Sequence, residues 1–290
     1  VADHGRIVSG DSVFEVNNVQ KNNGGKYMHY GVVKSGSFAV GDAVTASCCK
    51  TRRQAIGRAH SATHLLHKAL REVLGDHVHQ AGSLVEPDFL RFDFTHFSAV
   101  TPEQLRQVEE IVNNAILTGY DIDVKEMSLD EARKTSATAL FGEKYGNVVR
   151  VVNMGDWSIE LCGGTHLDNT AKAGAFHIIS EGSVASGVRR IEASTGLETM
   201  KILNRDLEEL SSLAAMYKTS PADLPQKLEQ QAGELREAKR LIEQYKARES
   251  AGGADEMLKN GKDVKGLRVV TCSREGCDAN TLRQLGDVLR

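Results

Sequence analysis

The feature that most constrains the fold is a set of four potential metal ligands split between two distant segments. His60 and His64 are separated by three residues, and Cys162 and His166 repeat that spacing far downstream. Residues four apart lie on one face of an α-helix, so both imidazoles of the first pair can reach one ion. Nitrogen and sulfur ligands suit Zn²⁺, which binds them tetrahedrally. The fold must therefore bring a helix containing His60 and His64 against a glycine-containing loop at 162–166.

The same four residues are also compatible with a structural metal site that has no catalytic activity. Histidines at helical spacing recur by chance, as does one cysteine near one histidine. Four protein ligands would close a tetrahedral site, as in structural zinc, whereas catalytic zinc keeps one position open. The sulfur disfavours Mg²⁺ and Ca²⁺, which take oxygen ligands. The predicted cofactor is Zn²⁺, and the spacing leaves open whether its coordination is closed.

Composition narrows the class of protein. The chain has 290 residues, 40% hydrophobic and 26% charged, which is ordinary for a soluble protein of two or more domains. A formal net charge of −3 excludes a uniformly basic nucleic-acid binder, so a polyanion must meet local basic patches. Five cysteines, an odd number, favour a reducing, cytoplasmic compartment over a disulfide framework. We find no signal peptide and no apolar run of membrane-spanning length.

The hydrophobic periodicity predicts an α+β protein in several parts. Short apolar runs and turn signals in the first 50 residues predict a small, incomplete β-barrel. Apolar residues at helical spacing predict the metal-bearing helix from Arg58 to Leu74, inside a mixed α+β domain. Two leucine-rich stripes predict a helical hairpin arm that ends at Gly252–Gly253. The strand Gly266–Thr271 and the helix Asn280–Leu289 predict a truncated C-terminal α/β unit. The predicted boundaries are 1–56, 57–197, 198–250 and 254–290. A start without Met suggests an excised piece of a longer protein.

Five motifs form a set: His60-Ser-Ala-Thr-His-Leu-Leu-His67, Arg91-Phe-Asp-Phe94, Leu140-Phe-Gly-Glu-Lys-Tyr145, Glu160-Leu-Cys-Gly-Gly-Thr-His166 and Gly187-Val-Arg-Arg-Ile-Glu-Ala193. Together they resemble the editing region of alanyl-tRNA synthetases, and the resemblance covers essentially the whole chain. The metal motif is shared with threonyl-tRNA synthetase editing domains and with free-standing AlaX-type deacylases. Those relatives are not expected to carry the helical arm and the C-terminal strand and helix.

The resemblance implies hydrolysis of tRNA(Ala) mischarged with serine or glycine, by the editing part of an alanine-tRNA ligase. A pocket built for alanine cannot strongly reject serine or glycine, whereas a second site that hydrogen-bonds the serine hydroxyl can reject alanine. The ATP-using aminoacylation domain would be absent from this chain, and the full-length protein would oligomerise through a missing C-terminal part. Two alternatives stay open: a non-catalytic zinc module that binds tRNA, and a free-standing AlaX-like deacylase.

Two residues are candidates for catalysis and four for tRNA binding. Cys162 would hold the metal, and Gln80, by resemblance, would face the pocket and bind the substrate hydroxyl. Gly163 and Gly164 permit a turn that bares amide N–H groups, although a plain tight turn explains them equally well. The four arginine candidates for phosphate contacts are Arg53 and Arg58, around the start of the metal helix, and Arg189 and Arg190. Lys50 and Arg52, beside the first two, are further basic candidates. For Lys50, Arg52, Arg53 or Arg58 taken singly, a solvated surface is the simpler interpretation. For Arg189 and Arg190 we favour a functional role, because adjacent arginines in an otherwise apolar strand must face opposite sides.

Overall fold

The first part of the chain is a four-stranded antiparallel sheet. The computed structural model describes residues 2–135 and 147–271, together with 283 and 286. The strands have the spatial order β3-β2-β1-β4, and the sheet does not close into a barrel. This open sheet agrees with the predicted incomplete barrel, although β1, which has only two adjacent apolar residues, was not among the predicted strands. The strands are β1 (Gly5–Ser9), β2 (Ser12–Lys21), β3 (Tyr27–Ser35) and β4 (Thr45–Cys48).

A mixed α+β unit follows, as predicted. Its elements are α1 (Lys50–Leu74), β5 (Gln80–Val85), β6 (Leu90–Thr95), α2 (Pro102–Thr118), β7 (Ile122–Ser128), α3 (Leu129–Ala132), β8 (Val148–Met154), β9 (Ser158–Leu161), β10 (Phe176–Ala185) and β11 (Val188–Thr195). Four of the strands form an antiparallel sheet in the order β10-β11-β6-β5, and three form a second one in the order β7-β8-β9. Helix α1 begins eight residues before Arg58, the predicted start. The polar segment 50–57 contains good helix formers but lacks the apolar periodicity on which the prediction rested.

Helix α1 is the central element of this unit. It contacts β5, β6 and β11 of the four-stranded sheet and β9 of the three-stranded sheet. Leu65, Leu66 and Leu70 are fully buried against the equally buried Phe92 and Phe94 of β6. Burying each such side chain stabilises the fold by about 1.5–3 kcal/mol. The helix is therefore held rigidly where its histidines must act.

The cap of α2 is encoded in its local sequence. Thr101 accepts a hydrogen bond from the amide of Gln104, and the Gln104 side chain accepts one from the Thr101 amide. Pro102 occupies the first helical turn. This reciprocal capping satisfies donors that the helix itself leaves unpaired. The boundary of α2 was predictable because all of these contacts lie within four residues.

The chain divides into two compact units, Val1–Arg205 and Asp206–Arg290. The second contains the end of α4 (Leu197–Met216), then α5 (Leu224–Lys259), β12 (Lys262–Val264) and β13 (Leu267–Val269). Helix α5 continues through the glycine pair where we predicted its end, which shows that two glycines need not terminate a long helix. The motif Leu140–Tyr145 lies outside the described residues, as does the predicted helix Asn280–Leu289 apart from Arg283 and Gly286. None of the helices in the described part of the chain has the length and hydropathy needed to cross a bilayer.

Candidate metal centre

Helix α1 and the loop after β9 bring the four predicted ligands together. The potential ligand atoms of His60, His64, Cys162 and His166 all lie within 4.8 Å of one another. Cys162 Sγ is 3.4 Å from Nε2 of His60 and 3.4 Å from Nε2 of His166. Tetrahedral zinc, with bonds of ~2.0–2.3 Å, separates its ligand atoms by about 3.3–3.7 Å. These residues can therefore hold a metal ion after only a small contraction.

Two of the histidines are oriented by contacts on the ring edge away from the centre. His60 Nδ1 is 3.2 Å from the carbonyl oxygen of Thr165, which only accepts, so Nδ1 must carry the proton. His166 Nδ1 is 3.2 Å from the hydroxyl of Ser61, which also accepts a hydrogen bond from the Leu167 amide. Both rings consequently present Nε2 to the cysteine sulfur. Such outer contacts set the tautomer and orientation of histidine ligands.

A buried carboxylate orients the third histidine. Glu160, only 5% exposed, has one oxygen 2.7 Å from His64 Nδ1 and the other 2.9 Å from His67 Nδ1. His67 is itself buried and lies against the ring of Phe92. His67 is therefore a partner of Glu160 and lies outside the ligand group. The carboxylate adds negative charge directly behind a cation site.

The protonation states match a metal-binding site. Burial alone would raise the pKa of the Cys162 thiol, but hydrogen bonds from His166, His60 and His64 lower it to about 3. The sulfur is therefore a thiolate at neutral pH, the form that binds metals. Burial is the main cause that lowers the pKa of His166 to about 4, so this imidazole is neutral. Burial would also lower the pKa of His64, but the charge of Glu160 and the hydrogen bond between His64 and Cys162 raise that pKa to about 10. A metal ion must therefore displace a proton from His64.

The two glycines of the loop have different roles. A Cβ on Gly164 would lie 2.0 Å from Cε1 of His60, whereas a Cβ on Gly163 would have no neighbour within 4 Å. Gly164 is thus required by its close approach to a ligand ring. Its amide donates to Cys162 Sγ at 3.4 Å, so that N–H stabilises the thiolate. The Arg150 guanidinium donates to the Gly164 carbonyl and, at 3.4 Å, to that of Cys162, which holds the loop in place.

Gln80 lies at the first position of β5 and is half-buried. Its backbone pairs with Phe94 of β6, whose side chain lies in the core under α1. Among the described residues, no hydrogen bond occupies the Gln80 amide group. The side chain is therefore available to a ligand, and its role in substrate recognition stays a prediction.

Three of the four arginines predicted to contact tRNA are paired with carboxylates. Arg189 forms two hydrogen bonds with Glu181, at 2.5 and 2.7 Å, and Arg190 forms two with Asp93, at 2.7 and 2.8 Å. Arg53 is paired with Asp3 in the same way. Such bidentate pairs use the same donors that a phosphate would need. Arg58, in contrast, forms no ion pair or hydrogen bond with any residue that the structure describes.

Glu160, Ser61 and Arg150 support the centre, and we assigned no role to any of them from the sequence. Glu160 had a signal, because a carboxylate stands between two apolar residues in Ile159-Glu160-Leu161. A charge in a strand that reads as buried needs a partner. Ser61 and Arg150 had no such signal, because ordinary surface serines and arginines look the same in sequence.

Replacing Glu160 with glutamine should weaken zinc binding by about 10–100-fold, the usual effect of losing an outer carboxylate partner. The amide is nearly the same size but carries no charge, so His64 loses its electrostatic partner while the packing persists. Competition with a chromogenic chelator measures the zinc dissociation constant. Glu126→Gln, at an exposed position of β7, is the control and should bind zinc normally. Equal affinities in both variants would contradict the role assigned to Glu160.

Comparison with known proteins agrees with this geometry. Residues 149–192 match a family described as the threonyl and alanyl tRNA synthetase second additional domain. The chain is 50% identical over 290 residues to an alanine–tRNA ligase of Acetivibrio thermocellus, 46% identical to one of Clostridioides difficile, and 44% identical to one of Hydrogenovibrio crunogenus. Each match covers 100% of this chain and 33% of the relative, so the chain spans about a third of these relatives' length. This similarity along the full length of the chain, together with the match at 149–192 that contains Cys162, is consistent with an editing fragment of an alanyl-tRNA synthetase.

Proposed function

We propose that this chain is an aminoacyl-tRNA deacylase that hydrolyses the ester of tRNA(Ala) mischarged with serine or glycine. The observation that carries the proposal is the group of three imidazoles and one thiolate held within 4.8 Å, in a chain similar throughout to alanine–tRNA ligases. The chemistry of these donors fits Zn²⁺ better than any oxygen-preferring ion. The bound partner would be tRNA(Ala).

Three of the four residues of the centre are partly exposed to solvent. His64 is buried, whereas His60, Cys162 and His166 are half-buried, so a substrate ester can approach the ligands from solvent. A zinc ion held there would act as a Lewis acid toward the ester carbonyl and the attacking water. The chain's own residues orient the imidazoles through Thr165, Ser61 and Glu160, so little reorganisation is needed during the reaction.

Gln80 is the residue we assign to substrate selection. Its amide group is free of hydrogen bonds within the described residues, and an amide can both donate to and accept from a serine hydroxyl. Alanine lacks that hydroxyl and would leave the amide unpaired, which disfavours its binding. Glycine also lacks the hydroxyl, so this contact would favour serine specifically.

The variant Gln80→Ala should slow hydrolysis of Ser-tRNA(Ala) by roughly tenfold, the effect of losing one specific hydrogen bond. It should change the slow hydrolysis of Ala-tRNA(Ala) much less, so the preference for serine falls. Release of labelled amino acid from both substrates, compared as kcat/KM, measures the change. Ser83→Ala, at an exposed position of the same strand, is the control. An equal loss on both substrates would contradict a recognition role for Gln80.

A structural zinc module that only binds tRNA is the second candidate. The observation in its favour is that four protein ligands already complete a tetrahedral shell. The two functions differ in one measurement: only the deacylase releases serine from Ser-tRNA(Ala). Zinc bound at one equivalent, with tRNA bound and no serine released, would support the module and contradict the deacylase.

A further inference from the structure

A cavity lies beside the first half of α1, on a part of the helix that the metal centre does not use. Its volume is about 450 Å³. Its walls come from the start of α1, the loop between β5 and β6, and the start of α4, all within the first compact unit. The charged lining residues are Arg52, Arg58, Asp88, Glu198 and Lys201.

The cations of this cavity are not fully neutralised. Arg58 forms no ion pair or hydrogen bond among the residues that the structure describes. Arg52 comes no nearer than 3.6 Å to Glu86, and its buried Nε has no hydrogen-bond partner within the described ranges. Lys201 pairs with Glu198 at 2.5 Å, which leaves Asp88 as the remaining lining carboxylate. A buried guanidinium nitrogen without a partner indicates that an acceptor is missing.

We propose that this cavity binds a backbone phosphate of tRNA, with Arg58 as its main contact. A guanidinium fork matches two phosphate oxygens, and Arg58 is the tRNA-contact candidate whose fork is unused. The first turn of α1, which lines the same cavity, contains no acidic residue that would repel an anion.

The position of Arg58 relates the cavity to the metal centre. Arg58 and His60 are two residues apart on one helix, so their side chains point in nearly opposite directions. The phosphate and the reacting ester would therefore lie on two sides of α1, separated by on the order of 10 Å, the width of a helix. That separation suits a phosphate a few nucleotides from the ester at the end of the tRNA. The inference rests on the proposed function for the identity of the nucleic acid.

Binding of uncharged tRNA(Ala) tests the proposal, because this ligand has no ester to hydrolyse and the result is independent of deacylase activity. Fluorescence anisotropy over a salt series measures the dissociation constant. The variant Arg58→Ala should raise it roughly tenfold. It should also reduce the slope of log affinity against log salt by about one, as expected for one lost phosphate contact. Arg106→Ala, an exposed arginine of α2 paired with Glu103, is the charge-matched control and should change neither.

A second variant and a second ligand complete the test. Lys201→Ala changes an exposed side chain, so the test stays decisive even if Arg58→Ala does not fold. This variant should also raise the dissociation constant for tRNA. Unchanged affinity in the folded variants, or an equal loss in Arg106→Ala, would overturn the proposal. Inorganic phosphate at constant ionic strength is the other arm, followed by thermal unfolding. Stabilisation by phosphate that depends on Arg58, without an effect on tRNA, would mark a small-anion pocket and also overturn it.

Discussion

Replacing Cys162 with alanine should abolish zinc binding and the hydrolysis of Ser-tRNA(Ala) while the protein stays folded. The sulfur lies 3.4 Å from two of the imidazoles, and its low pKa makes it the anionic ligand of the group. Losing an outer partner costs about 10–100-fold in affinity, so losing a direct ligand should cost at least about a hundredfold. Zinc content by elemental analysis and serine release under single-turnover conditions measure the two losses.

Cys48→Ala is the matched control, because Cys48 is a free cysteine in β4 outside the ligand group. It should retain zinc and activity. Thermal unfolding of both variants shows whether the fold is kept, which we expect because Cys162 is half-buried and alanine fits its space. Full hydrolysis by Cys162→Ala would reject the metal-centred site. If Cys162→Ala loses zinc and the control Cys48→Ala keeps zinc but releases no serine, the tRNA-binding zinc module is the better interpretation.

Adding one methyl group at Gly164 should disable the centre almost as completely. The new Cβ would lie 2.0 Å from Cε1 and 2.5 Å from Nδ1 of His60, closer than two such atoms can approach. The imidazole must move, which breaks its contact with the Thr165 carbonyl and withdraws one ligand. We expect Gly164→Ala to lower both zinc affinity and hydrolysis by at least about tenfold. The chelator competition and the single-turnover assay apply unchanged.

The neighbouring glycine provides a strict comparison. Gly163→Ala would place its Cβ in open space, so it should retain zinc and activity. Neither glycine has a backbone φ in the left-handed region, so a difference between the variants reports the contact with His60 and excludes backbone strain as its cause. Equal activity of the two variants would show that the loop moves freely and that Gly164 is not held against the ligand ring.

Local pattern in the sequence was sufficient for the four-ligand group and for most elements. The spacing of four positions from His60 to His64 places their rings on one face of any helix, and α1 is a helix because its apolar periodicity continues to Leu74. The α2 cap was readable for the same reason, since its donors and acceptors lie within one turn. Assigning Cys162 and His166 to the same site as the two histidines rested on the chemistry of the four donors, which suits Zn²⁺, and the structure brings the four residues together.

The pairing of charges was decided by the tertiary structure. Arg189 and Arg190 look like phosphate contacts in sequence, yet sheet register places each beside a carboxylate, from Glu181 and Asp93. Arg58 resembles them in sequence but pairs with no carboxylate in the described part of the chain. Glu160 likewise became the support of His64 only because β9 packs against α1. A hydrophobic period specifies which face of an element is buried, but the partner of a charged side chain depends on which distant segment the fold brings within about 4 Å.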